Sequence, residues 1–512
     1  MSAPKYLIDA NVIIGLEDWK EVSPEFAALT QLAARHGVGI FVHAVARDDI
    51  ARDSDVARRT VSISKIAKYP LITKVRGLTQ PDLEAEFGVC ARPNDVVDAT
   101  LLHALKIGVA DFLVTQDRGL HERAKRHSSD LGGRVLYVAD ALELLRSTYE
   151  PSQVTLPFVE ETEAHTIPLG DPIFESLRDG YPGFDQWWAE KCVKAMRKCW
   201  VVTDNGDLAG IVVRKDERPG DTDAKLPGDK ILKLCTFKVR PESRGIKLGE
   251  LLLKNVLWFA QKNRYDIVYV TTYPEQVALV DLLEYYGFAC TYTNSTGELV
   301  YEKSLSRERL LIQMGQSFFD AARLNYPRFC AASEVPVYGI PIKEAYHEIL
   351  FPELVQRQQT DLFQFGGIGT GPRTPGNTIR KVYLCHAQAW IDTRGAILLF
   401  YKGKSLHTPS QAITTIGIFE DMRYASSLEE LRQMAGGRSV YSERQLAEWR
   451  AAAQRPVKLI NFLLAGHIEP PIALAQLQAD RVFGGHPPQS IFRIPSNRAR
   501  IIFSRLNLGF EL

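Results

Sequence analysis

The chain has 512 residues and a formal net charge of +1, with 45% hydrophobic and 24% charged residues. That length excludes a single ordinary core, and roughly three domains are expected from typical domain sizes. The balanced charge excludes a uniformly basic or acidic chain, and apolar runs such as AILLFY (396–401) fall far short of the ~20 residues a spanning helix needs.

From residue 1 to 150, short apolar runs alternate with helical stretches. The strand YLIDANVII precedes the helical PEFAALTQLAARHG, the strand VGIFVHAVA and the helix start RDDIARDSDVARR. The helical NDVVDATLLHALKIG, the strand opening ADFLVTQDRGLHERAKRH, and the strand GRVLYVA before DALELLRSTYE follow. This alternation predicts a parallel sheet with helices on both faces.

Asp9 closes the first of these strands, where an unpaired buried carboxylate is costly and needs a reason. Asp48 and Asp49 open the helix after the second strand. Asp95 and Asp98, three apart, share a helix face, and Asp117 follows FLVTQ at another strand end. A parallel sheet gathers its strand ends at one edge, so these acids are expected to meet. Carboxylates that close repel unless a divalent cation neutralises them. Oxygen donors suit Mg²⁺ or Mn²⁺, ions that activate water against phosphodiesters. Each Asp taken singly also reads as a helix cap or an exposed helix charge, Asp95 above all.

The pattern over residues 4–148 resembles the PIN-domain nucleases, with LIDANVI, an acid opening the second helix, DATLLHAL and LVTQD in that family's order. The resemblance implies a PIN-like parallel α/β/α sandwich. It also implies that Asp9, Asp49, Asp98 and Asp117 are catalytic, bind Mg²⁺ or Mn²⁺ and hydrolyse RNA, with Thr115 orienting metal or water. The family's second acid is usually Glu; Asp49 stands here with Asp48 adjacent, and either fits the place.

The stretch PSQVTLPFVEETEAHTIP marks a boundary. A helical PGFDQWWAEKCVKAMRKC and the hairpin WVVTDNGDLAGIVVRK come next, its DNGD carrying tight-turn residues. DERPGDTDAKLPGD reads as an exposed loop. In KILKLCTFKVRPESRGIKLGELLLKNVLWFAQKN a strand ends at Val239, a basic glycine-bearing turn follows, and an amphipathic helix begins near Leu248. Backbone N–H groups at such a helix start, helped by Arg244, bind phosphate oxygens.

This segment resembles the acetyl-CoA signature of GNAT N-acetyltransferases, R/Q-x-x-G-x-G/A. Arg244, Gly245 and Gly249 match, and Lys247 stands where the middle glycine is expected. The resemblance implies a GNAT α+β fold in which Val239, Arg244, Gly245, Ile246, Lys247, Leu248 and Gly249 bind acetyl-CoA. DIVYVTTYPEQVALVDLLEYYGFACTYTNSTGELVYEKSL is similar to the family's closing strand–helix–GF–strand unit. The tyrosine that often serves there as general acid lies four residues before that glycine. Leu283 holds this position, with Tyr285 and Tyr286 nearby, which implies a different acid or weak catalysis.

Beyond residue 304, RERLLIQMGQSFFDAARL reads as a linking helix and GGIGTGPRTPGN as a flexible loop. RKVYLCHAQA, GAILLFYKGKS and AITTIGIFEDMRYA read as strands, and SERQLAEWRAAAQ as an intervening helix. Residues 305–512 carry 24 Lys and Arg against 17 Asp and Glu, consistent with a nucleic-acid-facing module. The LLFYKG…TTIGIFEDM hairpin and later PPQSIFRI resemble the PUA-like superfamily that includes ASCH and EVE domains. The resemblance implies a β-barrel that binds RNA or modified bases. Phe400, Tyr401, Lys402, Lys404 and Arg423 are candidates to stack bases and meet phosphates, or else core aromatics and solvated charges. The histidines of this region show no metal-ligand spacing.

The expectation is an α/β multidomain chain: PIN-like at 1–150, GNAT-like at 151–304, and a linking helix plus PUA-like domain at 305–512. Seven cysteines form no CxxC pair and leave an odd count, which points to reduced thiols in a cytoplasm. Asp9 and Glu17 interrupt any signal-peptide run, and no membrane partner is expected. The main functional expectation is metal-dependent cleavage of RNA, tRNA among the candidates, coupled to acetyl transfer onto an unknown amine. A toxin or defence role with an antitoxin or regulatory partner fits by analogy. The alternatives are an N-acetyltransferase on a non-catalytic PIN platform, and a non-catalytic RNA-binding regulator.

Overall fold

The computed structural model describes residues 4–14, 24–51, 56–72, 78–149, 159–204, 207–240, 248–354, 379–404, 409–435, 441, 443–484 and 486–512. The chain divides into two compact units, Met1–Ser152 and Gln153–Leu512. Among the described residues no helix is long and apolar enough to cross a membrane.

The first unit is built on five parallel strands: β1 (Lys5–Ile8), β2 (Gly39–His43), β3 (Leu71–Ile72), β4 (Phe112–Val114) and β5 (Val135–Leu136). Successive strand residues point to opposite faces, and both faces are dry. Tyr6 and Ile8 join one apolar core with Leu29 and Leu142, whereas Leu7 joins another with Leu101 and Leu120. Burial on both faces explains why these strands read as unbroken apolar runs. The order β3-β2-β1-β4-β5 places the reversal of strand order at β1 and β4, the crevice where open sheets of this kind set their sites.

The second unit opens with seven strands: β6 (Glu160–Glu163), β7 (Lys198–Asp204), β8 (Asp207–Glu217), β9 (Ile231–Val239), β10 (Ile267–Thr272), β11 (Ala289–Thr293) and β12 (Leu299–Ser304). Their order is β11-β12-β10-β9-β8-β7-β6, and only β9 and β10 run parallel. The Leu248–Lys262 helix covers one face through Leu252 and Val256. The expected helix over 182–199 is broken: an α-turn at Phe184–Trp187 passes into a π-turn at Trp188–Val193, and Phe184, Trp188 and Cys192 bury in one apolar cluster.

A third sheet contains β13 (Val337–Ile342), β14 (Arg380–Cys385), β15 (Ile397–Lys402), β16 (Ala412–Ala425), β17 (Val457–Ala473) and β18 (Phe492–Ile494). The expected closed barrel is not found among the described residues. The strands run β14-β17-β16-β15-β13-β18 with no ladder from β14 to β18. The last strand has three residues and stops at Pro495, which has no N–H to extend a ladder. The expected linking helix shrinks to Phe318–Leu324, where Ser317 accepts the Asp320 N–H at 3.1 Å. Upstream, Leu311 and Met314 are exposed and Gly315 takes φ +80°, so no apolar face holds a longer helix together.

The expected boundary at residue 304 falls inside this unit, where both sheets share a core that includes Leu252, Val256, Ile397 and Leu463. Polar ties cross the same seam. Trp258 Nε1 donates to the Tyr326 hydroxyl at 2.7 Å, which donates to Leu464 O at 2.8 Å. Glu250 Oε1 accepts from Arg380 N at 2.8 Å and from the Tyr286 hydroxyl at 2.9 Å. Buried Lys303 donates to Tyr286 O and Leu324 O, each at 2.6 Å, tying together the ends of two helices.

Gly287, between those helices, has φ +80°, and an added Cβ would lie 1.9 Å from Leu324 O. Gly287→Ala is therefore expected to destabilise the second unit by about 2 kcal/mol or more, because both backbone and packing must shift. Urea unfolding of the full chain tests this, and an unchanged midpoint would contradict the packing described.

Candidate functional site

At the end of β1 and β4 the first unit collects four expected residues. Asp9 is 7% exposed, and Thr115, fully buried, donates its hydroxyl to Asp9 Oδ2 at 2.7 Å. Asn11 Nδ2 and the Asp117 N–H both donate to Thr115 Oγ1 at 3.0 Å, which fixes that hydroxyl toward Asp9. Burial, and secondarily Asp117, raises the Asp9 carboxyl to about 6 despite the Thr115 hydrogen bond. Asp98, on the Pro93–Lys106 helix, rises to about 7 through burial, then through Asp9 and Asp117.

The other acids behave differently. Asp117 is exposed and caps the Arg118–His127 helix, accepting Leu120 N–H at 3.0 Å. Asp95 accepts the Arg92 N–H at 2.8 Å and pairs with the Arg92 and Arg123 guanidinium groups, a structural cap. Asp48 and Asp49 belong to the Val45–Ala51 helix, and their side chains lie outside the described residues. Among the described residues no three His, Cys, Asp or Glu side chains are grouped to hold one metal ion.

The second unit contains an opening in its sheet. β9 pairs with β10 only from Ile231–Leu234 against Ile267–Val270, then continues to Val239 held by β8 alone. The parting begins at a bulge. Val213 faces Thr236 and Arg214 faces Leu234, so Cys235 is the extra residue of β9. A bulge bends its strand and adds local twist, and this one turns β9 away from β10. Among the described residues, the inner backbone edges past that point have no strand partner.

A cavity of about 440 Å³ occupies the opening, lined by Cys235, Thr236 and Phe237 of β9, Thr271 and Thr272 of β10, and Tyr181 opposite. Arg197 donates to Cys235 Sγ at 3.2 Å, and burial raises that thiol above its usual value. Glu217 is nearly fully buried, pairing with Lys215 at 2.7 Å and accepting the Tyr269 hydroxyl at 2.5 Å.

The Leu248–Lys262 helix begins where β9 leads out of the sheet. Its first N–H groups lack intrahelical partners, as at any helix start. Leu248 is buried and Val239 half-buried. A Cβ on Gly249 would lie 3.3 Å from Leu282, so glycine lets this helix approach the Val277–Tyr285 helix closely. Arg244, Gly245, Ile246 and Lys247 lie outside the described residues.

Several other candidates are structural. Leu283 is fully buried in the core, and Tyr286 turns into the seam toward Glu250. The Tyr285 ring lies under the guanidinium groups of Arg323 and Arg380, at 4.6 and 5.3 Å. Phe400 and Tyr401 are core residues, and Lys402 is buried beside Glu344 and Glu348, so these three cannot form a base-stacking surface. Only Lys404 is exposed; Arg423 pairs with Asp421 at 3.1 Å. The cleft residues Tyr181, Tyr273 and Glu298 carry no sequence signal, since they come from separate segments that no motif joins.

A mixed sheet opened between two parallel strands, with a helix starting at the opening, defines a GNAT-like fold. Residues 162–288 match the family model described as Acetyltransferase (GNAT) family, so this part of the chain is a GNAT acetyltransferase domain. A protein of Schizosaccharomyces pombe, named as an uncharacterized N-acetyltransferase, is 38% identical over 73 residues, 13% of this chain. That segment covers 45% of the relative, so the chain spans less than half of its length. Among solved structures, ASCH from Zymomonas mobilis has 15% identity and a TM-score of 0.24, covering 33% of this chain and 96% of its own. A GNAT family acetyltransferase from Elizabethkingia anophelis with acetyl-CoA bound has 17% identity and a TM-score of 0.22, covering 29% and 98%.

Folding raises both Asp9 and Asp98 above the usual carboxyl value of 3.8. Their contribution to stability is therefore full below that value and is lost as pH rises through about 6 and about 7. Asp98→Asn removes the charge, so at pH 7.5 it is expected to stabilise the first unit, by on the order of 1.4 kcal/mol per pKa unit relieved. At pH 4 the gain should disappear. Denaturation of the full chain at both pH values tests this, and equal midpoints for mutant and wild type at pH 7.5 would refute it.

Proposed function

We propose that the chain is an acetyl-CoA-dependent N-acetyltransferase. The single observation that carries this is the parting of β9 from β10 at the Cys235 bulge. Unpaired strand edges suit the amide groups of a pantetheine arm, which can add to them as a further strand does. Val239 ends β9, Leu248 and Gly249 open the helix that follows, and Arg244 with that helix start suits the pyrophosphate. Acetyl-CoA supplies an activated acyl group; the protein's part is to align the thioester with an amine. In this account Arg244→Ala weakens acetyl-CoA binding at least 10-fold, the scale of a lost charge-assisted phosphate contact. Calorimetric titration of the full chain measures this. Absence of binding in wild type, or equal affinity in Arg244→Ala, would reject the proposal.

A second reading, cleavage of RNA with Mg²⁺ or Mn²⁺ in the first unit, is favoured by the Asp9–Asp98 corner. Asp98 has no hydrogen bond or ion pair among the described residues; burial raises both carboxyls, with Asp117 adding to each and Asp9 adding to Asp98. Oxygen donors in that state suit a hard cation. Asp9, Asp98 and Asp117, with Asp48 or Asp49, would hold it, and it would supply a nucleophilic water at neutral pH. RNA, tRNA included, and an antitoxin-like regulator would then be the partners. The expected result is Mn²⁺-dependent cutting of end-labelled tRNA that Asp98→Ala abolishes. Cutting that survives Asp98→Ala, or none with any divalent ion, removes this reading and leaves the acetyltransferase.

A further inference from the structure

One carboxylate in the cleft differs from its neighbours. Glu217 is matched by Lys215, and Lys215 also lies 3.5 Å from Asp221. Lys233 is matched by Asp223 at 2.6 Å. Glu298, which also lines the cavity, has no Lys, Arg or His partner among the described residues. It accepts only from neutral donors: Asn294 Nδ2 and Thr296 Oγ1 at 3.0 Å, and the Tyr181 hydroxyl at 3.5 Å, the outer limit of a hydrogen bond. These donors hold the carboxylate in place without neutralising it.

Glu298 immediately precedes Leu299, which pairs with Thr272 at the end of β10, so it stands beside Tyr273 at the open end of the parted strands. The Tyr181 and Tyr273 rings lie 5.3 Å apart at 38°, forming an aromatic wall next to the carboxylate. A fixed negative charge against aromatic faces is the chemistry that binds an organic ammonium.

We infer that Glu298, Tyr181 and Tyr273 form the acceptor site, that the acceptor is a primary alkylammonium next to an apolar or aromatic group, and that Tyr181 and Glu298 carry the protons of the transfer. This rests on the acetyltransferase reading above. The ammonium passes one proton through Glu298 to water, leaving a neutral amine. Its nitrogen attacks the thioester carbon, the C–N bond forms, and the C–S bond breaks with its electron pair going to sulfur. The nitrogen gives its second proton to Glu298, the sulfur takes the Tyr181 hydroxyl proton, and Tyr181 recovers a proton from Glu298. The products are an amide, the free thiol and one proton in water.

Two observations support the assignment. With Leu283 in the core and Tyr286 in the seam, neither reaches the cleft, and the sulfur still needs a donor. Burial, and secondarily Glu298, holds the Tyr181 phenol well above its usual value, so it keeps its proton until a strong base forms beside it.

The test uses the full chain, acetyl-CoA and phenethylamine as the probe amine, following thiol release from pH 6 to 10 while calorimetry reports acetyl-CoA affinity. Wild type is expected to transfer. Tyr181→Phe should lower kcat about 10- to 100-fold, within the range for a lost proton donor, with KM for acetyl-CoA within twofold. Glu298→Gln should raise KM for phenethylamine about 10-fold and move the rise of rate to higher pH, where the free amine is already present. Wild-type kcat, KM and pH profile in both variants would overturn the assignment. Acetyl-CoA binding without transfer to phenethylamine would overturn it while sparing the cofactor site; absence of acetyl-CoA binding would overturn the reading beneath it.

Discussion

The cleft of the second unit arises from a failure of pairing. Two parallel strands meet for four residues and then separate, because β9 carries one residue more than β8 can match. Backbone polar groups away from water need partners, so strands that part inside a sheet leave a demand that a ligand can meet. The cavity of about 440 Å³ lies where that local misfit parts the two strands.

The third sheet bears on the same unit through packing. It shares the core of the Leu248–Lys262 helix, and its Arg380 N–H donates to Glu250, which also accepts the Tyr286 hydroxyl. A tyrosine committed to that seam is unavailable to the cleft, which gives a physical reason for proton donors to come from the opposite wall. The buried Lys254–Glu353 pair, 2.5 Å between Nζ and Oε1, lies on the same helix face. An ion pair this buried is weak evidence of stability, but removing one partner alone leaves a charge the core cannot solvate.

Legibility in the sequence followed how local each signal was. The end of β9 at Val239 and the helix start at Leu248 were readable because strand, glycine turn and amphipathic helix are contiguous in the chain. Asp9 and Thr115 were readable because parallel strands bring their ends to one edge, although Asp117 proved to be a cap as well. The bulge at Cys235 was not readable, since an extra residue is defined only against its partner strand. Nor was β17, whose HIEPP segment interrupts the apolar run with charge and two prolines. Phe400 and Tyr401 read equally as core aromatics, which they are, whereas Lys402 read as solvated because a lysine buried against Glu344 and Glu348 is written in sequence like an exposed one. Glu298 and Tyr181, separated by more than a hundred residues, become a pair only in the fold.

The most direct measurement is amide hydrogen exchange across β9 and β10 in the full chain, with and without saturating acetyl-CoA. If the parted edges hold the acyl donor, amides at 235–239 and 271–272 gain protection while those at 231–234, already paired, change little. Unchanged exchange at 235–239, or protection confined to residues 1–150, would contradict the account.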